Sequence, residues 1–298
     1  MDPFPTSTNK LRPMLVEGGV AMAIAVAVYL FSCLLVAPKP ESVGFGLEWQ
    51  RMAGDPFGLS GLFPHRLLAP LLAWLLGFGS EHYVGYVRGL HVVMLTCGVL
   101  YARRLGTTRL DAALIAIAVA VTAPVQMYKW HWVSYCDPLS YSLFLIAAMC
   151  VRHTTVFWVL FFFNLTTHEL AAFMLPWCWY LRRCSGAPWR VDAAWVTAVF
   201  GTYAAYYFLV RHFAVQHTFS YDFFVENPLL PFGAIAIWAM AMTHWLLAFG
   251  PVLAVLGWHW HTAANVRERW QLWLVVAGIV AILGIAFDWM RHANLILL

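Results

Sequence analysis

Apolar runs of about 20 residues, the length that crosses a hydrocarbon layer, recur along this chain and restrict what it can fold into. The first, Met14 to Ala37, is too long and lacks the small-residue cleavage site of a signal peptide, so it reads as a retained span. Backbone N–H and C=O groups in hydrocarbon must pair within their own segment, and runs of this length do so as helices. The sequence therefore predicts an all-α polytopic bundle, with residues 1–298 forming a single integral membrane domain. Charged residues are 11% of the chain, against about 25% in an ordinary soluble domain. The net charge of +4 is carried mostly in the loops, where it sets topology, and nucleic acid is not an expected partner. Six cysteines without a CxxC pair read as packing residues.

About seven full spans are expected: 14–37, 83–102, 110–128, 133–151, 191–213, 229–258 and 270–287. Two further apolar segments, 66–79 and 156–181, resist that reading. If each enters and leaves on one side, one face carries eleven Lys and Arg residues and the other six, with Arg88 inside a span. The positive-inside rule then puts the N-terminus in the cytoplasm. In a bacterial cell this means the inner membrane. Treating either short segment as a crossing spoils the count. The same topology gathers Glu48, Asp55, Asp137 and Asp288 on the non-cytoplasmic side, with Trp49 and Tyr135 in an interfacial aromatic belt.

Segment 156–181, VFWVLFFFNLTTHELAAFMLPWCWYL, contains His168-Glu169 in otherwise apolar sequence. An ionisable group at that depth costs roughly 2.5–3.5 kcal/mol on insertion scales, so it is expected to face a cavity or a site. Thr166 or Thr167 is the expected cap of a second half-helix after the break. Arg66 opens the apolar helix of FPHRLLAPLLAWLL, where it either snorkels to the interface or binds an anion. Asp137-Pro138 has the form of an N-cap followed by Pro at the first helical position. Asp288, Arg291 and His292 fall at i, i+3 and i+4 near the end of the sequence.

Taken in order, these motifs resemble the GT-C-type glycosyltransferases, polytopic membrane enzymes that use polyprenyl-phosphate sugars. The likeness rests on acids in the first loop (Glu48, Asp55), Arg66-Leu67-x-x-Pro70, Asp137, His168-Glu169 and Asp288-x-x-Arg291. His168 stands where the family pattern has Arg or Lys before the Glu. The resemblance implies sugar transfer on the extracytoplasmic face from a lipid-linked substrate. Glu48, Asp55 and Glu169 would then be catalytic, and Arg66, Asp137, His168, Asp288 and Arg291 would bind substrate. The chemistry requires a base for the acceptor hydroxyl and a cation, either an arginine or a divalent metal, for the departing phosphate.

Two other readings remain open. His65, His131, His168 and His292, with Asp137, Glu169 and Asp288, offer donors for a metal-dependent intramembrane enzyme, although no HExxH spacing is present. A non-catalytic subunit or a transporter would instead use the polar groups to line a path or to bind membrane-protein partners.

Overall fold

The computed structural model describes residues 11–59, 63–121, 123–130 and 133–214. Every regular element among them is helical. The expected spans 229–258 and 270–287 lie outside the described residues, as do His131, Asp288, Arg291 and His292.

Helix α1 (Leu11–Leu35) runs from one end of the bundle, the basic end, to the other, and helix α2 (Gly46–Gly54) follows it there. Helix α3 (Leu68–Leu75) and a 3-10 turn (Ser80–His82) lead into α4 (Tyr83–Arg104). At about 1.5 Å per residue, the eight residues of α3 cannot cross about 30 Å of hydrocarbon. The chain returns to its starting end: Gly79 packs so closely on Ala53 that an added Cβ would lie 2.6 Å from that carbonyl oxygen. The Arg88 Nη2 then donates to the Lys39 carbonyl at 2.7 Å, so α4 sets out from the end where α1 finished. Segment 66–79 thus leaves and returns at one end of the bundle.

At the basic end, Glu17 of α1 accepts from Arg103 at 2.7 Å and from Arg109 at 2.8 Å. These bonds join α1, α4 and α5 (Arg109–Ala120). Thr108 and Asp111 form a reciprocal capping box that starts α5. The expected span 110–128 divides into α5 and α6 (Ala123–Trp130), and 133–151 shortens to α7 (Asp137–Met149). Cys136 is the N-cap of α7, so Asp137 and Pro138 sit one position further in than expected.

Helix α8 (Thr154–Thr167) ends at His168, whose extended backbone (φ −157°, ψ 118°) interrupts the helical ladder. A 3-10 segment (Glu169–Met174) and α9 (Leu175–Cys184) then lead back. The Arg182 Nη2 donates to Thr154 Oγ1 at 2.6 Å, so segment 156–181 leaves and rejoins one end as a hairpin. Thr166 and Thr167 do not cap its second half. Both hydroxyls donate backward to the Phe163 carbonyl, at 2.8 and 3.0 Å, and so hold the last turn of α8. Helix α10 (Trp189–Phe213) completes the described bundle.

Pro13–Leu35, Ser80–Arg104 and Trp189–Phe213 are long and apolar enough to cross a membrane. The interior between α7, α8 and α10 is aromatic, with Phe161 in ring contact with Phe144, Trp158 and Phe200. Trp49 and Tyr135, expected in an interfacial belt, are instead buried against each other, 4.9 Å between centroids. All six cysteines are free; Cys97, Cys136 and Cys178 are buried and Cys184 is exposed.

Candidate functional site

The hairpin tip and the turn before α3 meet in a charged cluster. Pro64 and the Arg66 N–H to Phe63 carbonyl bond (2.9 Å) bend residues 63–66 into a turn that presents His65 and Arg66 together. Arg66 does not snorkel. Its guanidinium lies 4.2 Å from the Phe63 ring centroid and 5.8 Å from that of Trp49, in contact range for cation–π attraction. Arg66 Nε donates to Glu169 Oε2 at 2.7 Å, and Nη2 donates to Oε1. This side-on bidentate geometry matches a planar guanidinium to a carboxylate, and it holds Glu169 in its ionised form.

His65 Nε2 lies 3.2 Å from the same Glu169 Oε2, and His168 Nδ1 lies 3.8 Å from it. The second distance is electrostatic rather than a hydrogen bond. Three basic side chains therefore surround one carboxylate. His65 is fixed from behind: Tyr206 donates to its backbone carbonyl at 2.9 Å, and the Tyr207 ring stands 5.0 Å away, edge-on. With Nε2–H donating to Glu169, His65 Nδ1 keeps its lone pair, and it has no hydrogen-bond partner among the described residues. The Glu169 side chain remains 31% exposed while those of His65 and Arg66 are buried, so the carboxylate faces the opening of the cluster.

Of the residues expected at a site, the structure joins Arg66, His168 and Glu169. Glu48 pairs instead with Arg51 one helical turn away, at 3.0 Å. Asp55 accepts from the Gly58 amide at 3.0 Å and closes a local turn. Asp137 is buried in the first turn of α7, next to Cys136, whose thiol donates to the Thr167 carbonyl at 3.4 Å. Trp49, Phe63, Tyr206 and Tyr207 were missed. Only the adjacency of Phe63 to His65 and Arg66 is visible in the sequence, since the tyrosines come from a helix about 140 residues later. Among the described residues, no three His, Cys, Asp or Glu side chains are arranged to hold a metal ion.

A separate apolar cavity of about 350 Å³ lies between α4, α5 and α7, lined by residues such as Met94, Leu95, Ile115, Val119 and Leu145. Its walls suit a hydrocarbon chain. Compared with known proteins, the chain matches no family model, no curated protein and no solved structure.

Proposed function

We propose that this chain transfers a sugar from a polyprenyl-phosphate donor on the extracytoplasmic side, with the Arg66–Glu169–His65 cluster as its reaction centre. The observation that carries the reading is the buried His65 Nδ1, which keeps an acceptor lone pair while Glu169 holds the opposite nitrogen. A carboxylate that orients an imidazole and stabilises its protonated form is a recurring way to make a base. His65 Nδ1 takes the acceptor hydroxyl proton as that oxygen bonds to the anomeric carbon. The anomeric carbon–oxygen bond breaks, its electron pair leaves with the lipid phosphate, and Arg66 stabilises the developing charge.

Arg66, held side-on by Glu169, supplies the guanidinium for the donor phosphate. The base role thereby passes from Glu48 and Asp55 to the Glu169–His65 pair. Reconstituted protein supplied with polyprenyl-phosphate sugars tests this directly. Glu169→Gln is expected to accumulate folded and to lose transfer by a factor of about 100 or more; full transfer in that variant overturns the assignment. A non-catalytic subunit is the second reading, favoured by the local pairing of Glu48 and Asp55.

A further inference from the structure

Arg88, the one basic residue that the charge count leaves inside a span, lies at a second and separate cluster. It lines a pocket near the outer end of α4 together with Lys39, Lys129 and His91. Each cation there has a neutral partner. Arg88 donates to the Lys39 carbonyl, and Lys39 Nζ sits 4.3 Å from the Trp130 ring centroid. Lys129 Nζ donates to Ser32 Oγ and, at 3.2 Å, to Gln126 Oε1. Lys129 is 3% exposed. Among the described residues no Asp or Glu lines the pocket, and neither Arg88 nor Lys129 has an ion pair to a carboxylate.

A buried cation without a counter-charge is costly, and gathering three basic side chains around one pocket adds their mutual repulsion. A second, independent observation concerns His91. Its Nδ1 is bonded to the Val87 carbonyl at 2.9 Å, whereas its Nε2 is buried without a hydrogen-bond partner among the described residues. The Nδ1–carbonyl contact requires a proton on Nδ1. Nε2 is then an acceptor in the neutral ring, and a donor once an anion stabilises the charged form.

The pocket holds about 10 Å³, room for one oxygen of a larger group resting in its mouth. Ser134, which also lines it, has a left-handed backbone (φ 74°), and its hydroxyl is tied to that of Ser42 at 2.6 Å. An added Cβ on Gly46 would lie 2.0 Å from the Val133 carbonyl oxygen, so α2 clamps this loop in place. The wall is thus held rigidly, as a preorganised binding site requires.

We infer that Lys39, Arg88, Lys129 and His91 form a binding site for a phosphate group, one oxygen of which enters the pocket between Arg88 and Lys129. The site stands apart from the Glu169 cluster and does not depend on the proposed transfer reaction. A phosphate group can come from a lipid headgroup or from a soluble phosphate.

The test is thermal unfolding of the full chain in a non-ionic detergent. It is titrated with inorganic phosphate, with dihexanoyl phosphatidylglycerol, and with dihexanoylglycerol as the phosphate-free control. At least one phosphate-bearing probe is expected to raise Tm above the control. Inorganic phosphate acting alone identifies a soluble ligand; a response to phosphatidylglycerol only identifies a lipid headgroup. Arg88→Gln and Lys129→Met should each weaken the apparent affinity about tenfold or more, since each removes a charge-assisted hydrogen bond. Lys129→Met removes a buried unpaired charge, so it is expected to fold at least as well as the parent without ligand and keeps the test readable. The inference fails if neither phosphate probe exceeds dihexanoylglycerol, or if both variants respond like the parent. Variants that lower Tm without changing any anion response would likewise overturn it, by showing that the cations serve structure alone.

Discussion

Two of the arginine–carboxylate pairs among the described residues have a buried arginine, and their differences separate a structural pin from a candidate reaction centre. In the pair Arg182–Asp192 both side chains are 1% exposed. Asp192 Oδ1 accepts from Arg182 Nε at 2.9 Å and from Trp158 Nε1 at 2.9 Å, while Arg182 also donates to the Val151 carbonyl and to Thr154. Four segments (α8, α9, α10 and the turn after α7) are tied to one guanidinium and one carboxylate. The pair Arg66–Glu169 has the same two functional groups in a different setting. Its carboxylate is part-exposed, two histidines flank it, and one of their nitrogens keeps an open lone pair. Full burial of the first pair, with its bonds to four segments, suits holding helices together; the part-exposed carboxylate of the second suits chemistry.

The largest expected effect attacks the closed pair. Asp192→Ala strands a buried guanidinium and should cost about 3–5 kcal/mol, read as a lowered midpoint of denaturant unfolding in detergent or as loss of folded protein. Replacing both partners, Arg182→Met with Asp192→Leu, should recover most of that loss, because the stranded charge is gone. If the double variant is as unstable as the single one, the pair is more than a pin. Next comes Glu169→Gln, whose stability cost should be less than half that of Asp192→Ala, while sugar transfer falls about 100-fold or more. Equal destabilisation by the two substitutions would erase the distinction and make the Glu169 cluster a polar core.

Trp158→Phe retains the packing ring but removes one donor to Asp192. About 2 kcal/mol of stability should be lost, the usual worth of a hydrogen bond to a charged group, and a midpoint unchanged within error would assign Asp192 wholly to Arg182. Smaller again is Thr108→Ala at the capping box of α5, expected to cost about 1 kcal/mol. The smallest effect is one of pH. The Thr108 hydroxyl and amide hold the Asp111 carboxyl below its ordinary range. The stabilisation is therefore present above the ordinary carboxylate range and lost as pH falls through the lowered value. Faster amide exchange at Thr108 and Asp111 under acid, absent in Thr108→Ala, would show it.

The expected spans 14–37, 83–102 and 191–213 correspond to helices long enough to cross a membrane, whereas 110–128 divides and 133–151 shortens. The short α3 and the break at His168 let segments 66–79 and 156–181 each return to the end of the bundle they left. The sequence-derived map was least accurate where a local motif has a local use. Glu48 and Asp55 have the composition of catalytic acids, yet Arg51 at i+3 and the amide of Gly58 engage them within their own turns. Thr166 and Thr167 have the composition of caps, yet they bond backward into α8. A short side chain near a helix end has several nearby backbone partners, and which one it takes depends on the path of the chain beyond it.

By itself, the sequence determined that the described chain is helical and that His168-Glu169 interrupts an apolar run. Those outcomes follow from apolar length and from the requirement to pair every backbone group nearby. Only the tertiary structure decided that Glu169 meets Arg66 from 103 residues earlier, that Tyr206 holds the His65 backbone, and that Arg88 and Lys129 gather at one pocket. Coulombic partners are chosen by distance in space, and spacing along a chain encodes that distance only within a turn or two of helix.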